Sequence, residues 1–383
     1  MPRHPKTSSS VSDIGGAVYS SLAHRMAIHR GQVYPLHVGD TWLEPAEGCR
    51  MQDFTVAEHP GMHRYAPPQG RRELIEAIAG RTVERSGLAT EPGNVLVTAG
   101  ATGALGAVLG AILEPGDEVL VLAPYWPLIT GIVRCFHAVP VAVPFLDAAD
   151  SPETAVEVVR HHHRPQSVAL YISTPNNPTG RVIPRPWIQA LVDWATAEGL
   201  WIISDEVYED YVYDGEHTPC RPLAPERTFS AHSFSKAFGM AGNRCGYVIG
   251  PDVVMSEVCK VSTHSFYSTP TASQLAATRA LDGRGDAWVR DVREQYRALG
   301  VRTAQRLGVE SPEGSTFLFL NVEPQLDERG LLGLLTDCAD RGLFLAPGPS
   351  FGPYPHHLRI CFTAAEPDQI DAGVEILAET LGR

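Results

Sequence analysis

From Arg71 to Gly250 the chain alternates short apolar runs with helix-like stretches, and this alternation narrows the fold more than any other feature of the sequence. RRELIEAIAGRTVE reads as a helix ahead of the strand NVLVTA. A second helix leads to EVLVLA, followed by SVALYIS, the helix PRPWIQALVDWATAEG and the strand LWIISDE. Each apolar run is short, continuous and bounded by Gly, Pro or Asp, as in strands buried on both faces of a sheet. The expectation is an α/β fold with a mostly parallel central sheet and helices on both faces. After Asp286 the order changes to a long helix, STFLFLNV, a helix, GLFLAP, HLRICF and a last helix from Glu366. That order predicts a smaller α+β domain, which the N-terminal forty or so residues could join. The expected division is an arm with part of the small domain over 1–44, a large α/β domain over 45–285 and the small C-terminal domain over 286–383.

One segment tests this reading. Val95 to Leu113 carries no charge and approaches the length of a membrane span. It opens on a strand-like VLVTA, holds four glycines and stops at EPGDE, so a buried strand, a turn and a core helix describe it better. A net charge of -13 argues against nucleic acid or an anionic membrane as the main partner. The seven cysteines are odd in number and show no CxxC pairing, which reads as reduced thiols of a cytoplasmic protein. The N-terminal MPRHPKTSSSVSDIGG lacks the apolar run of a signal peptide. His161 to His163 read as a surface turn at a helix end, with no second ligand cluster at useful spacing, so no metal is expected.

In α/β sheets ligands sit beyond the carboxyl ends of the strands. After NVLVTA comes GATGAL, small residues opening a helix whose free N–H groups favour an anion such as phosphate. It matches neither a GxGxxG fingerprint nor a Walker loop, which removes support for nucleotides. After EVLVLA, Tyr125 and Trp126 offer a face on which a flat ring can stack. After SVALYIS comes TPNNPTG, whose Asn177 can donate and accept hydrogen bonds. Asp205 follows a wholly apolar strand, where a carboxylate is costly without a cationic partner, and Tyr208 lies three residues on. In SFSKAFGMAGNRCGY stands Lys236, one of three lysines in the chain, with Ser233 and Arg244 at hand for phosphate. A partly desolvated lysine can form a Schiff base with a carbonyl. Together these residues ask for a phosphate, a flat ring with a protonated nitrogen, a ring hydroxyl and an aldehyde, all of which pyridoxal 5'-phosphate has.

The ordered series RYAPPQGRRELIEAIA, GATGA, PYW, TPNNPTG, DEVYEDY, SFSKAFGMAGNRCGY and HLRICF resembles the class I/II aminotransferases among fold-type-I pyridoxal-phosphate enzymes, over nearly the whole chain. The resemblance implies that Lys236 holds the cofactor covalently and then shuttles protons, that Asp205 pairs with the ring nitrogen and that Trp126 stacks on the ring. It assigns Tyr208 and Asn177 to the ring oxygen, and Ala101, Thr102, Ser233 and Arg244 to the phosphate, with Ser235 as a further phosphate contact. Arg359 in HLRICF would clamp the substrate α-carboxylate with Gly39 beside it. Tyr65 corresponds to a phosphate-contacting tyrosine supplied by the neighbouring subunit, which implies a homodimer with shared active sites. The implied reaction moves the amino group of an α-amino acid to a 2-oxo acid by a ping-pong route.

Two other readings stand beside it. Carbon–sulfur lyases, cyclases and amino-acid oxidases or hydroxylases occur on similar scaffolds and share the residues that activate the α-proton. A non-enzymatic regulator would need a DNA-binding module, and few residues precede the helix expected near Ala17. For the substrate, Arg359 accounts for the α-carboxylate alone. Trp42 and the THSFYSTP segment, with His264, Phe266 and Tyr267, suggest an apolar or aromatic side chain.

Overall fold

The computed structural model describes residues 6–12, 14–15 and 22–383; the helix expected near Ala17 lies outside them. Seven strands form the main sheet: β1 Val95–Thr98, β2 Glu118–Ala123, β3 Val139–Pro144, β4 Ser167–Ser173, β5 Trp201–Asp205, β6 Thr228–Ser233 and β7 Gly246–Ile249. Their spatial order is β1-β7-β6-β5-β4-β2-β3. Strands β3, β2, β4, β5 and β6 pair in parallel, while β7 runs antiparallel to both β6 and β1. The α/β class and mostly parallel sheet read from the sequence are what the structure has.

The alternation of side chains along β4 explains its unbroken apolar run. Ala169 and Tyr171 pack into one core with Leu105, Val108 and Ile203, whereas Leu170 and Ile172 pack into another with Ile188, Leu191 and Ile202. A strand covered on both faces has no polar side to show in its sequence. The helix Gly100–Ile112 covers the first face and the helices Pro152–His162 and Arg185–Ala197 the second. Val95–Leu113 is therefore a buried strand and a core helix, and no helix among the described residues is long and apolar enough to cross a membrane.

A second, antiparallel sheet holds β8 Phe317–Asn321, β9 Ala346–Pro347 and β10 His357–Cys361 in the order β8-β10-β9. The N-terminal segment joins it: the Tyr34 N–H donates to Gly342 at 2.8 Å and the Cys361 N–H to Leu36 at 2.8 Å. Two strands of the main sheet, β3 and β6, were not legible in the sequence, and β7 is very short. β3 begins and ends beside prolines at the sheet edge, β6 reads TFSAHS, and β7 is a four-residue GYVI after a glycine-rich turn. Within GLFLAP only Ala346–Pro347 is strand. Between the helices Thr271–Arg279 and Gly285–Leu307 the chain kinks at Gly283, whose φ of 100° is not helical.

Candidate active site

The carboxyl ends of the parallel strands gather at one edge of the main sheet. β1 turns at Gly100, with φ 72°, into its helix, so Ala101 and Thr102 stand in the first turn. Trp126 follows β2, Asn177 follows β4, Asp205 ends β5 and Ser233 ends β6. Because β7 runs the other way, its start lies at this edge: Gly246 is paired with both Thr98 and Ser233, and Arg244 arrives just before it. A Cβ on Gly246 would stand 2.6 Å from the His232 carbonyl oxygen and 2.7 Å from the Gly100 carbonyl carbon, so only glycine fits.

These ends enclose a cavity of about 160 Å³ lined by Ala101, Thr102, Trp126, Asn177, Asp205, Tyr208, Ser233, Ser235, Lys236 and Arg244, all named from the sequence. Leu105, Ser173, Val207 and Ala241 complete the lining and were not named. Ser173 ends β4 on the same face as Tyr171, where strand alternation was the signal that could have found it, whereas Val207 lies in the turn after Asp205.

Burial lowers the proton affinity of Lys236, and its Nζ donates to the carbonyl oxygen of Gly39. The shift favours the neutral, nucleophilic form of the amine. Burial acts the opposite way on Asp205 and raises its pKa, against hydrogen bonds from the Tyr171 hydroxyl at 2.6 Å and the Val207 N–H at 3.4 Å. Tyr208 is pushed well up by burial and stays a neutral hydroxyl. Ser233 Oγ accepts from the Ser235 N–H at 3.1 Å, which leaves its own proton to donate. The Arg244 guanidinium bonds Ala99 and Ala241 carbonyls at 3.2 and 3.0 Å. The hydroxyls, helix N-terminus and guanidinium form a donor set for a dianion, and the same cavity holds a buried carboxylate for a cationic ring N–H.

Arg359 and Gly39 do not line this cavity but adjoin it. The Arg359 guanidinium lies 4.2 Å from the ring centre of Phe317 and 4.7 Å from that of Phe351. Its Nη1 donates to Asn177 Oδ1 at 2.8 Å and its Nη2 to the His37 carbonyl at 2.6 Å. Burial, then the Arg359 charge, pulls His37 down to about 4, so it is neutral near pH 7. Tyr65 is not brought to the site in the same chain: it is 86% exposed and packs on Tyr267 with ring centres 4.9 Å apart. Trp42 packs on Tyr296, and Phe266 lies against Gly103, so neither THSFYSTP nor Trp42 contributes to the cavity lining.

Sequence reasoning missed Tyr171, Phe317, Phe351 and a polar network behind β6. There His217 Nε2 meets Glu206 Oε2 at 3.1 Å and His232 Nδ1 meets Glu209 Oε1 at 3.0 Å, with Arg85 3.3 Å from Glu209. Acidic and basic residues scattered between 85 and 232 gave no local motif.

The family described as aminotransferase class I and II matches residues 42–377. The chain is 34% identical over 351 residues to the aspartate/prephenate aminotransferase of Thermus thermophilus, covering 86% of this chain and 89% of that one. It is 32% identical over 302 residues to an arginine–pyruvate transaminase of Pseudomonas aeruginosa, covering 76% of each. The solved structure of the Thermus thermophilus aspartate aminotransferase with maleate superposes with a TM-score of 0.89 at 30% identity, over 98% of this chain and 100% of that one.

Proposed function

The chain belongs to the class I and II aminotransferase family, and we propose that Lys236 is the residue on which its cofactor is carried. It is a pyridoxal-phosphate-dependent enzyme that transfers the amino group of an α-amino acid to a 2-oxo acid. Pyridoxal phosphate fits the donor set of the cavity. Gly100 supports this: a Cβ there would reach 2.7 Å from Arg244 Nη2, so the turn leaves the guanidinium room beside the helix N-terminus where a phosphate binds.

When bound, the cofactor supplies an aldehyde that condenses with amines and a ring that takes up the electron pair left by a departing α-proton. The chain's residues do the rest. Ala101, Thr102, Ser233, Ser235 and Arg244 hold the phosphate, and Trp126 covers the ring. Asp205 carries the negative charge that keeps a ring N–H cationic. Tyr208 and Asn177 donate to the ring oxygen. The Lys236 amine, whose proton affinity burial lowers, would be the covalent anchor for the cofactor's aldehyde, and once a substrate amine takes its place Nζ would accept the substrate's α-proton and return it. Arg359, held in plane by Asn177 and His37, clamps the substrate α-carboxylate beside Gly39 and orients the α C–H toward Nζ. The same residues run the second half in reverse with the oxo acid, which gives ping-pong kinetics.

The donor we assign is an α-amino acid with an apolar or aromatic side chain. Among the described residues the only cations lining the cavity are Lys236 and Arg244, which the cofactor occupies, and Arg359 is committed to the α-carboxylate. The relatives are named for aspartate, prephenate and arginine, side chains too different to select one. The exposed Tyr65–Tyr267 pair supports a homodimer in which each Tyr65 reaches the other subunit's phosphate, and the free cysteines support a cytoplasmic site of action. The observation that carries the assignment is the buried Lys236 sharing one cavity with the buried Asp205. Visible absorbance recorded while single amino acids are added without an acceptor tests it. One equivalent of pyridoxamine form per subunit is expected, greatest for apolar or aromatic donors; ammonia or peroxide with a returning cofactor band would mean lyase or oxidase chemistry instead.

A further inference from the structure

We propose that Tyr171 is a positioning residue that holds the proton shared between Asp205 and the cofactor ring on the ring nitrogen; this rests on the reading of Asp205 as that nitrogen's partner. Tyr171 lies within β4, where an aliphatic residue would satisfy the core, and it belongs to the same buried core as Ile203, Phe229 and Ala231. β4 and β5 pair with Tyr171 opposite Ile203 and Ser173 opposite Asp205. Paired residues share a face, as do alternate residues along a strand, so Tyr171 stands on the same face as Asp205 one step deeper in the sheet. Its hydroxyl donates to Asp205 Oδ2 at 2.6 Å, and the ring is fully buried. A phenol placed this deep without a partner is costly, and here its hydrogen bond goes to a carboxylate that lines the cavity.

The consequence follows from where the shared proton sits. If it moves from the ring nitrogen to an Asp205 oxygen, the N–H electron pair stays on nitrogen and the ring loses its positive charge. A donor fixed on Asp205 stabilises the ionised carboxylate more than the neutral acid and opposes that transfer. Burial of Asp205 drives the proton the other way, and Tyr171 acts with the Val207 N–H and the charge of His232 against it.

The test uses the holoenzyme reconstituted with cofactor ¹⁵N-labelled at the ring nitrogen, in wild type, Tyr171→Phe and Asp205→Asn. Phe keeps the ring and most of the volume; Tyr171→Met is a second apolar variant should Phe fail to fold. The expected result is a ring-nitrogen resonance that moves toward the neutral position in Tyr171→Phe and further in Asp205→Asn. With it kcat falls about tenfold, the size of one hydrogen bond to a charge, and KM for the amino acid changes by less than about twofold. An Asp205→Asn resonance unchanged from wild type would overturn the reading of Asp205 itself. Movement in Asp205→Asn with none in either Tyr171 variant would leave Asp205 in its role and show Tyr171 to be core packing alone.

Discussion

Arg359 on β10 and Asn177 after β4 meet across the two sheets, with Arg359 Nη1 donating to Asn177 Oδ1 at 2.8 Å. The bond links the small sheet to the wall of the main cavity, so the group we assign to the substrate carboxylate is oriented by a residue that also lines that cavity. The rings of Phe317 and Phe351 against the guanidinium leave it little freedom to turn.

Arg359→Lys is therefore not conservative. The ammonium keeps the charge but loses the planar fork, its bond to His37 or Asn177 and its contact with the rings. Steady-state kinetics should show kcat/KM lowered about a hundredfold for every α-amino acid tested, with the ratio between donors unchanged. An unchanged kcat/KM would remove Arg359 from the substrate site.

Lys236→Met should abolish the borohydride-reducible link between protein and cofactor. It should also stabilise the cofactor-free protein at pH 7 by about 1 kcal/mol, because a buried amine is replaced by an apolar chain of similar length. Urea denaturation of the cofactor-free forms measures the second effect. A reducible adduct at wild-type yield would show that another group carries the cofactor.

Of the ten lining residues named from the sequence, Ala101, Thr102 and Ser235 came from the family resemblance, and the others were legible for a physical reason. They sit at strand ends and in turns, where Gly, Pro, Asn and Ser recur at fixed offsets, as in TPNNPTG and SFSKAFGMAGNRCGY. What the sequence hid are residues whose roles depend on pairing across the sheet. Tyr171 looks like one more apolar strand residue until β4 and β5 are set in register. The direction of β7 was hidden because four residues beside a glycine-rich turn do not tell parallel from antiparallel pairing, yet that reversal brings Arg244 to the site.

Gly246→Ala tests that reversal. The new methyl would press on backbone at both His232 and Gly100, which cannot rotate away as a side chain could. Overpacking of this kind costs about 1–3 kcal/mol. A displaced Gly100 turn also disturbs the helix N-terminus and Arg244, so cofactor retention during dialysis should fall along with stability. Loss of stability with normal retention would separate the strand from the phosphate site.

The ion pairs behind β6 give a pH dependence whose direction is determined. Burial alone would lower His217 and His232, but their bonds to Glu206 and Glu209 outweigh it and raise both. Burial alone would raise the two glutamates, and the same histidines hold them low instead. The histidine contribution to stability is full below the unfolded pKa of about 6.5 and is lost as pH rises through the raised folded values. The glutamate contribution is full above about 4.3 and is lost as pH falls through the lowered ones. His217→Ala leaves a buried Glu206 without its cation, so it should cost about 3 kcal/mol between those limits. The difference from wild type in urea denaturation should shrink on both the alkaline and the acid side. A difference independent of pH would mean that His217 is neutral in the folded protein and that its bond to Glu206 carries no charge.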